Sequence, residues 1–272
     1  MTETPVQLVV TDLDGTLWDG DGVIPPAAVA AVDEVLARGI PILAATARRQ
    51  RSVLPKLAPY GLSLPLVLLD GALGLDPRDG ATFHRRVFDR AAAPLVLECF
   101  TQHGIEPCLN VDDERDVVIG PDPSSPPANV AYLASFGARG DLMETATSDA
   151  VFSFQLFGLP RPALEPVADA VRARGLGSAT VSHDITHGRF CLTVRPEGIS
   201  KWEGVLAFCA HTGIDPAGVL AIGDGENDVE LLTGAGRSCA PPSGSAAARA
   251  AAQLVVGALE DGGWADILDL LD

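Results

Sequence analysis

Positive charge is scarce in this sequence. Nineteen lysines and arginines face 36 aspartates and glutamates, a formal net charge of −17 over 272 residues. A chain this acidic is repelled by polyanions, which argues against nucleic acid and anionic membrane as partners; an anionic ligand must be met by local cations. Cysteine is also sparse. Cys99, Cys108, Cys191, Cys209 and Cys239 are scattered, odd in number and never spaced as a CxxC pair. That pattern argues against a disulfide framework or a thiolate zinc site and fits a reducing compartment. No uncharged apolar run approaches the roughly 18 residues of a membrane helix. The opening MTETPVQ lacks the basic and apolar regions of a secretory leader, so a cytoplasmic location is expected. What the chain has in quantity is apolar bulk. Hydrophobic residues make up 47% of it, enough for a full core and too many for disorder.

That bulk is arranged in a repeated design. VQLVVTD ends at Asp12, IPILAATAR at Arg48, LPLVLLDG just past Asp70 and GVLAIGDG just past Asp224. Each is a short continuous apolar run with its polar residues at the end, as expected of a parallel strand covered on both faces. Helical stretches lie between them. PPAAVAAVDEVLARG opens with proline and stops at Gly39, and SKWEGVLAFCAHTG has Ser200 to cap it and Gly213 to close it. Strands alternating with helices predict an α/β fold with a doubly wound parallel sheet, which binds ligands beyond the carboxyl ends of its strands.

Residues 79–189 differ in texture. HRRVF, EPCLNV, DVVIG and VFSFQLFGL read as short strands, RPALEPVADAVRARG as a helix and GPDPSSPP as a loop. SATVSHDI and GRFCLTVRP read as two strands joined around residues 186–188. This predicts a mainly antiparallel α+β domain inserted between core segments 1–78 and 190–272. RSCAPP and AAQLVVG then return as core strands, and DGGWADILDLLD as a closing helix.

The acids at the strand ends demand a reason. Asp12 and Asp14, two apart at the end of a strand, project to one side, and Asp224 and Asp228 sit at the end of another. If those strands are neighbours, four carboxylates converge and raise one another's pKa unless a cation intervenes. Carboxylates, water and a substrate phosphate form the shell that magnesium prefers, so the cluster points to Mg²⁺ and phosphate chemistry.

DLDGTL followed by GDGEND resembles the haloacid dehalogenase superfamily, and the placement of the insert is similar to its Cof-type sugar-phosphatase branch with a C2-type cap. The resemblance spans essentially the whole chain and implies a Rossmann-like core with an inserted cap that sets substrate specificity. It implies that Asp12 is the nucleophile and Asp14 the acid/base, that Thr46 in AATAR, Lys201 in GISKWEG and Asn227 in GEND hold the phosphoryl group, and that Asp224 and Asp228 bind metal. The Asp12 carboxylate and the Asp14 main-chain oxygen complete the implied Mg²⁺ shell. The implied activity is hydrolysis of a small phosphorylated metabolite, a sugar phosphate or a relative of one, through an aspartyl-phosphate. A phosphomutase of the phosphomannomutase type would use the same nucleophile and a similar cap. A sugar-phosphate sensor would be expected to have lost Asp12 or Asp14, and a dehalogenase lacks the second acid.

Other features divide between two readings. Arg48 either contacts substrate or cap, or faces solvent at a helix start. ARRQR, residues 47–51, reads as a solvated face or as a steering patch for anions. The spacing of His183 and His187 in HDITH recurs in helical metal pairs, yet the setting is a hairpin, where a place on the cap edge is the stronger alternative. Three departures from the family pattern stand out: Asp70 where Asn is usual, ATAR instead of the more permissive ATGR, and bulky Trp202 beside Lys201, at the site entrance or packed beneath it.

Overall fold

The computed structural model describes residues 4–183 and 189–271. Its strands are, in order, β1 (Leu8–Thr11), β2 (Ile42–Ala45), β3 (Leu66–Leu68), β4 (Leu73–Asp76), β5 (Ala81–Arg85), β6 (Cys108–Val111), β7 (Val117–Ile119), β8 (Ala138–Arg139), β9 (Val151–Leu159), β10 (Ser178–His183), β11 (Phe190–Arg195), β12 (Val219–Ile222), β13 (Arg237–Ala240) and β14 (Leu254–Val255). The chain divides into two compact units, Met1–Arg85 with Ser200–Asp272, and Arg86–Ile199.

The first unit is built on one sheet in the order β14-β13-β12-β1-β2-β3-β4-β5. The six strands from β14 to β3 run parallel, and the β4–β5 hairpin extends the edge antiparallel. Every residue of β1, β2, β3 and β12 is buried, which is why these strands read as unbroken apolar runs. From β1 the chain winds outward through β2 and β3, and it returns on the other side as β12. The direction of winding therefore reverses between β1 and β12, and this is where such sheets open a crevice at their carboxyl ends. Helix Pro26–Ala37 buries Ala28, Ala31, Val32 and Val35 along one stripe, and Gly39 turns the chain out of it in the left-handed region. Helix Lys201–Thr212 starts at Ser200, whose hydroxyl accepts the Glu203 N–H, and ends at left-handed Gly213. The C-terminal segment expected as a closing α-helix instead winds as 3₁₀ turns over Gly263–Leu270, anchored by buried Trp264, whose indole N–H donates to Thr11 Oγ1 at 3.0 Å.

The second unit holds a mixed sheet in the order β10-β11-β9-β6-β7-β8, antiparallel except for the β7–β8 pair. Phe154, Leu156, Leu192 and Val194 pack with Val96 and Phe100 of helix Ala92–Gln102 and with Leu164, Val167 and Val171 of helix Arg161–Ala173. Alternate residues of β9 and β11 are polar and also buried, Ser153, Gln155, Thr193 and Arg195, as is Asn110 of β6. The units part later in the chain than the expected boundaries at 78/79 and 189/190. HRRVF does not open the insert, because β5 pairs with β4 in the first sheet, and β11 closes the second sheet against β9 and β10. The expected bend at residues 186–188 lies outside the described residues. The overall class is α/β, with a largely parallel core sheet and a separate inserted mixed sheet.

Candidate active site

The acids meet because β1 and β12 are neighbours. Asp12 directly follows β1 and donates its N–H to Ile222 O, the last residue of β12, at 2.8 Å. Asp224 leaves β12 two residues later, and Asp228 closes the turn GDGEND. Carboxylate oxygens of Asp12, Asp224 and Asp228 lie within 4.8 Å of one another. Gly15 allows this approach. It is left-handed (φ +78°), and a Cβ there would sit 2.6 Å from Asp224 Oδ2. The glycines of DxDG and GDG thus make room for carboxylates as well as for turns.

One ammonium sits among them. Lys201 Nζ donates to Asp12 Oδ1 at 2.6 Å and to Asp228 Oδ1 at 2.7 Å, and Lys201 is fully buried. A buried charge costs several kcal/mol to desolvate and survives only with partners of this kind. Burial alone would depress the Lys201 pKa; the Asp12 and Asp228 carboxylates outweigh it and hold it above the ordinary lysine value. Burial pushes the Asp12 carboxyl well above its usual range; Lys201 opposes this, and Asp228 and Asp224 add to it. Asp224 is raised to about 6, first by burial and then by Asp228. One cation does not neutralise three acids. The second oxygen of Asp228 is spent on the turn, accepting the Asp224 and Gly225 N–H groups at 3.1 and 2.9 Å. Thr16 Oγ1 donates to Asp224 Oδ1 at 3.1 Å.

Asp14 is held by one guanidinium and an indole. Arg48 grips it bidentately, Nε to Oδ2 and Nη2 to Oδ1, both at 2.6 Å, and Trp18 Nε1 donates to Oδ1 at 3.1 Å. The sequence suggested an Asp14 crowded by acids, whereas its contacts are these two donors. Arg48 is accordingly no solvent-facing residue, and Arg49 is also buried, so residues 47–51 do not form a solvated face. Thr46 directly follows β2, buried, and its hydroxyl accepts the Arg48 N–H at 3.1 Å. Ala47 is not among the residues with positive φ, so this turn has no need of the missing glycine. Asn227 Nδ2 donates to Asp70 Oδ1 at 2.7 Å. Trp202 is packed beneath, its ring against Gly234 at the end of helix Val229–Gly234. His183 ends β10 with its ring edge-on to Phe190 and belongs to no metal-binding group among the described residues. His187 lies outside them.

Sequence reasoning missed Thr16 and Trp18 as partners of the acids. Their signal was position, since both fall in DGTLW, where a turn tight enough to aim two carboxylates also aims its other polar side chains.

Known proteins share this framework. A family model described as haloacid dehalogenase-like hydrolase matches residues 9–268. A phosphoglycolate phosphatase of Methanopyrus kandleri is 26% identical over 96% of this chain and 95% of its own. A chloroplastic endoribonuclease YBEY of Arabidopsis thaliana is 24% identical over 96% of this chain, which spans only 45% of that protein. The solved structure of a subclass IIB sugar phosphatase of the superfamily superposes with a TM-score of 0.78 at 18% identity, covering 97% of this chain and 98% of that one. The acid cluster, the lysine among it and a match running from β1 to the final turns have one common account: the chain belongs to the haloacid dehalogenase-like hydrolases.

Proposed function

We propose that the protein is a Mg²⁺-dependent phosphomonoester hydrolase, acting on a sugar phosphate or related small metabolite through an aspartyl-phosphate on Asp12. The observation that carries this reading is the imbalance of charge: three mutually close carboxylates share one buried ammonium. Oxygen donors with surplus negative charge fit a hard divalent cation. The Asp12 and Asp224 carboxylates and the Asp14 main-chain oxygen would hold it, with Asp228 orienting the turn that presents Asp224. When bound, magnesium supplies the positive charge that lets an anionic nucleophile approach an anionic phosphoryl group.

The chain's own groups perform the rest. An Asp12 oxygen forms a bond to phosphorus as the bond to the leaving oxygen breaks, dividing hydrolysis into two easier steps. Asp14 gives a proton to that leaving oxygen and takes one from the water that then cleaves the acyl phosphate. For this it must exchange its hold on Arg48 for substrate, and the incoming phosphoryl group is a competing anion for the same guanidinium. Lys201, Thr46 and Asn227 bear charge on the equatorial oxygens. The inserted unit serves as the cap that selects substrate, and the two named phosphatase relatives favour a small phosphorylated metabolite. A phosphate-release screen over phosphomonoesters, sugar phosphates and phosphoglycolate included, with and without Mg²⁺, tests this. Release from several esters only with Mg²⁺ is the expected result; none from any ester overturns it.

A further inference from the structure

The bend Leu69–Gly71 touches three parts of the site at once. Leu69 and Asp70 are both left-handed (φ +52° and +56°), a conformation non-glycine residues adopt only when their surroundings impose it. The impositions are visible. Leu69 N–H donates to Arg48 O and Asp70 N–H to Thr46 O, each at 3.0 Å, which ties the bend to the end of β2. Gly71 (φ +107°) presses on the Ser200 carbonyl at the start of the Lys201 helix, where any Cβ would collide. Asp70 itself is buried at 4% exposure, with Oδ1 on Asn227 Nδ2 at 2.7 Å.

We propose that Asp70 is a positioning residue that fixes how Asn227 meets the phosphoryl group, an inference resting on the phosphatase reading above. The Asp70 carboxyl oxygen accepts from the Asn227 amide, so it holds that amide with its NH₂ turned towards it. One N–H is then committed to Asp70 and the other is oriented for an anion. An asparagine at position 70 could give or accept, and the amide pair would occupy both orientations, half of them presenting Asn227 Oδ1 to an anionic oxygen. The inference has a distinctive sign. By charge alone, removing a buried carboxylate beside an anion site strengthens anion binding. By positioning, the same change weakens it.

The test uses the full chain with Mg²⁺, p-nitrophenyl phosphate as substrate and orthophosphate as competitive inhibitor. Asp70→Asn is nearly isosteric, and asparagine tolerates the left-handed region, so the fold is retained. The orthophosphate inhibition constant should rise about twofold, because about half of the amide orientations no longer offer a donor. KM should rise with it, while kcat changes by less than about twofold, the pattern of lost ground-state binding. In an Asn227→Ala background there is no amide to orient, and Asp70→Asn should leave the inhibition constant unchanged or lower it. Tighter phosphate binding in Asp70→Asn alone overturns the inference, as does an equal rise with and without Asn227. A drop in Tm and kcat with an unmoved inhibition constant also overturns it, since that is a structural role only. A wild-type chain that hydrolyses no phosphomonoester overturns the functional reading and this inference together; an active wild type with any of the other results overturns this one alone.

Discussion

The two sheets bury polar groups in opposite ways. In the first, the interiors of β1, β2, β3 and β12 are wholly apolar and polar residues crowd their carboxyl ends: Asp12 after β1, Thr46 after β2, Asp70 after β3 and Asp224 after β12. In the second, they stand in mid-strand, and most are neutral. Asn110 Nδ2 donates to Ser153 Oγ at 2.8 Å and to Gln155 Oε1 at 2.9 Å across three residues of β6 and β9. A parallel strand covered on both faces has no room for polarity except at its end, whereas an antiparallel strand with helices on one face alternates. The chemical consequence is larger than the geometric one. Neutral amides and hydroxyls can pair with one another, so such a network needs no ion, even though Asn110 Oδ1 has no partner among the described residues. Three carboxylates around one lysine are not satisfied by one another and call for a cation and a substrate.

The largest break in that contrast comes from Asp12, the proposed nucleophile. Asp12→Asn keeps shape and should cut turnover by roughly 10³-fold or more, as loss of a nucleophile does, with Tm maintained. Asp14→Asn should differ in kind. Attack on acetyl phosphate needs little leaving-group protonation, so the phosphoryl-enzyme forms, but its hydrolysis lacks a base. Intact mass should show one added phosphoryl group, absent when Asp12 is also changed to Asn. Phosphate mapping to another residue would refute the assignment.

Metal removal comes next in size. EDTA should abolish activity and Mg²⁺ restore it, while Ca²⁺, with its larger and looser shell, inhibits. Because burial raises Asp224 to about 6 and holds Asp12 above the usual carboxylate range, Mg²⁺ binding should weaken as pH falls through about 6 and release protons there. Calorimetry in buffers of different ionisation enthalpy reads the proton count; none released would contradict the crowded cluster.

The end-of-strand acids and the helix caps were legible because each follows from a local rule. A carboxylate closing an apolar run is costly, and Ser200 or Gly39 marks a helix boundary by backbone chemistry alone. What the sequence hid depends on distant partners. Arg48 and Arg49 sit in a run of bases that looks solvated, and only the fold brings Asp14 to Arg48. The seam was misplaced because β4–β5 is antiparallel and alternating, like the insert, although it pairs with the first sheet. Nothing local announces a leucine and an aspartate in the left-handed region at 69 and 70, since that strain is imposed by β2 and the Lys201 helix.

A matched pair of buried substitutions sharpens the contrast. Lys201→Met strips the ammonium shared by Asp12 and Asp228, and a broken buried pair costs about 3–5 kcal/mol. Mg²⁺ should recover part of that loss, whereas kcat/KM stays at least about tenfold down for want of a transition-state contact. Asn110→Leu should cost about 1–3 kcal/mol, the range for an unsatisfied neutral partner, with no dependence on Mg²⁺. Thermal melts of both variants, with and without the ion, make the comparison. Equal responses to Mg²⁺ would erase the distinction between the two kinds of buried polarity.

The smallest expected effect is at Trp18. Its fully buried indole touches Asp14 through one 3.1 Å hydrogen bond, while Arg48 Cζ and Lys56 Nζ each lie 6.0 Å from its ring centroid. Trp18→Phe deletes the N–H but keeps an aromatic face for the two cations, so the packing loss is modest. Arg48 still holds both Asp14 oxygens, and the carboxylate loses one of three donors without losing its place. Turnover should fall about two- to fivefold, the worth of a single hydrogen bond. Trp18→Ala should fall further, because both cations lose their aromatic neighbour and Arg48 is freed to move with Asp14. If the phenylalanine and alanine variants lose activity equally, the indole N–H carries the whole effect and the ring none. If neither loses any, Arg48 alone positions the acid.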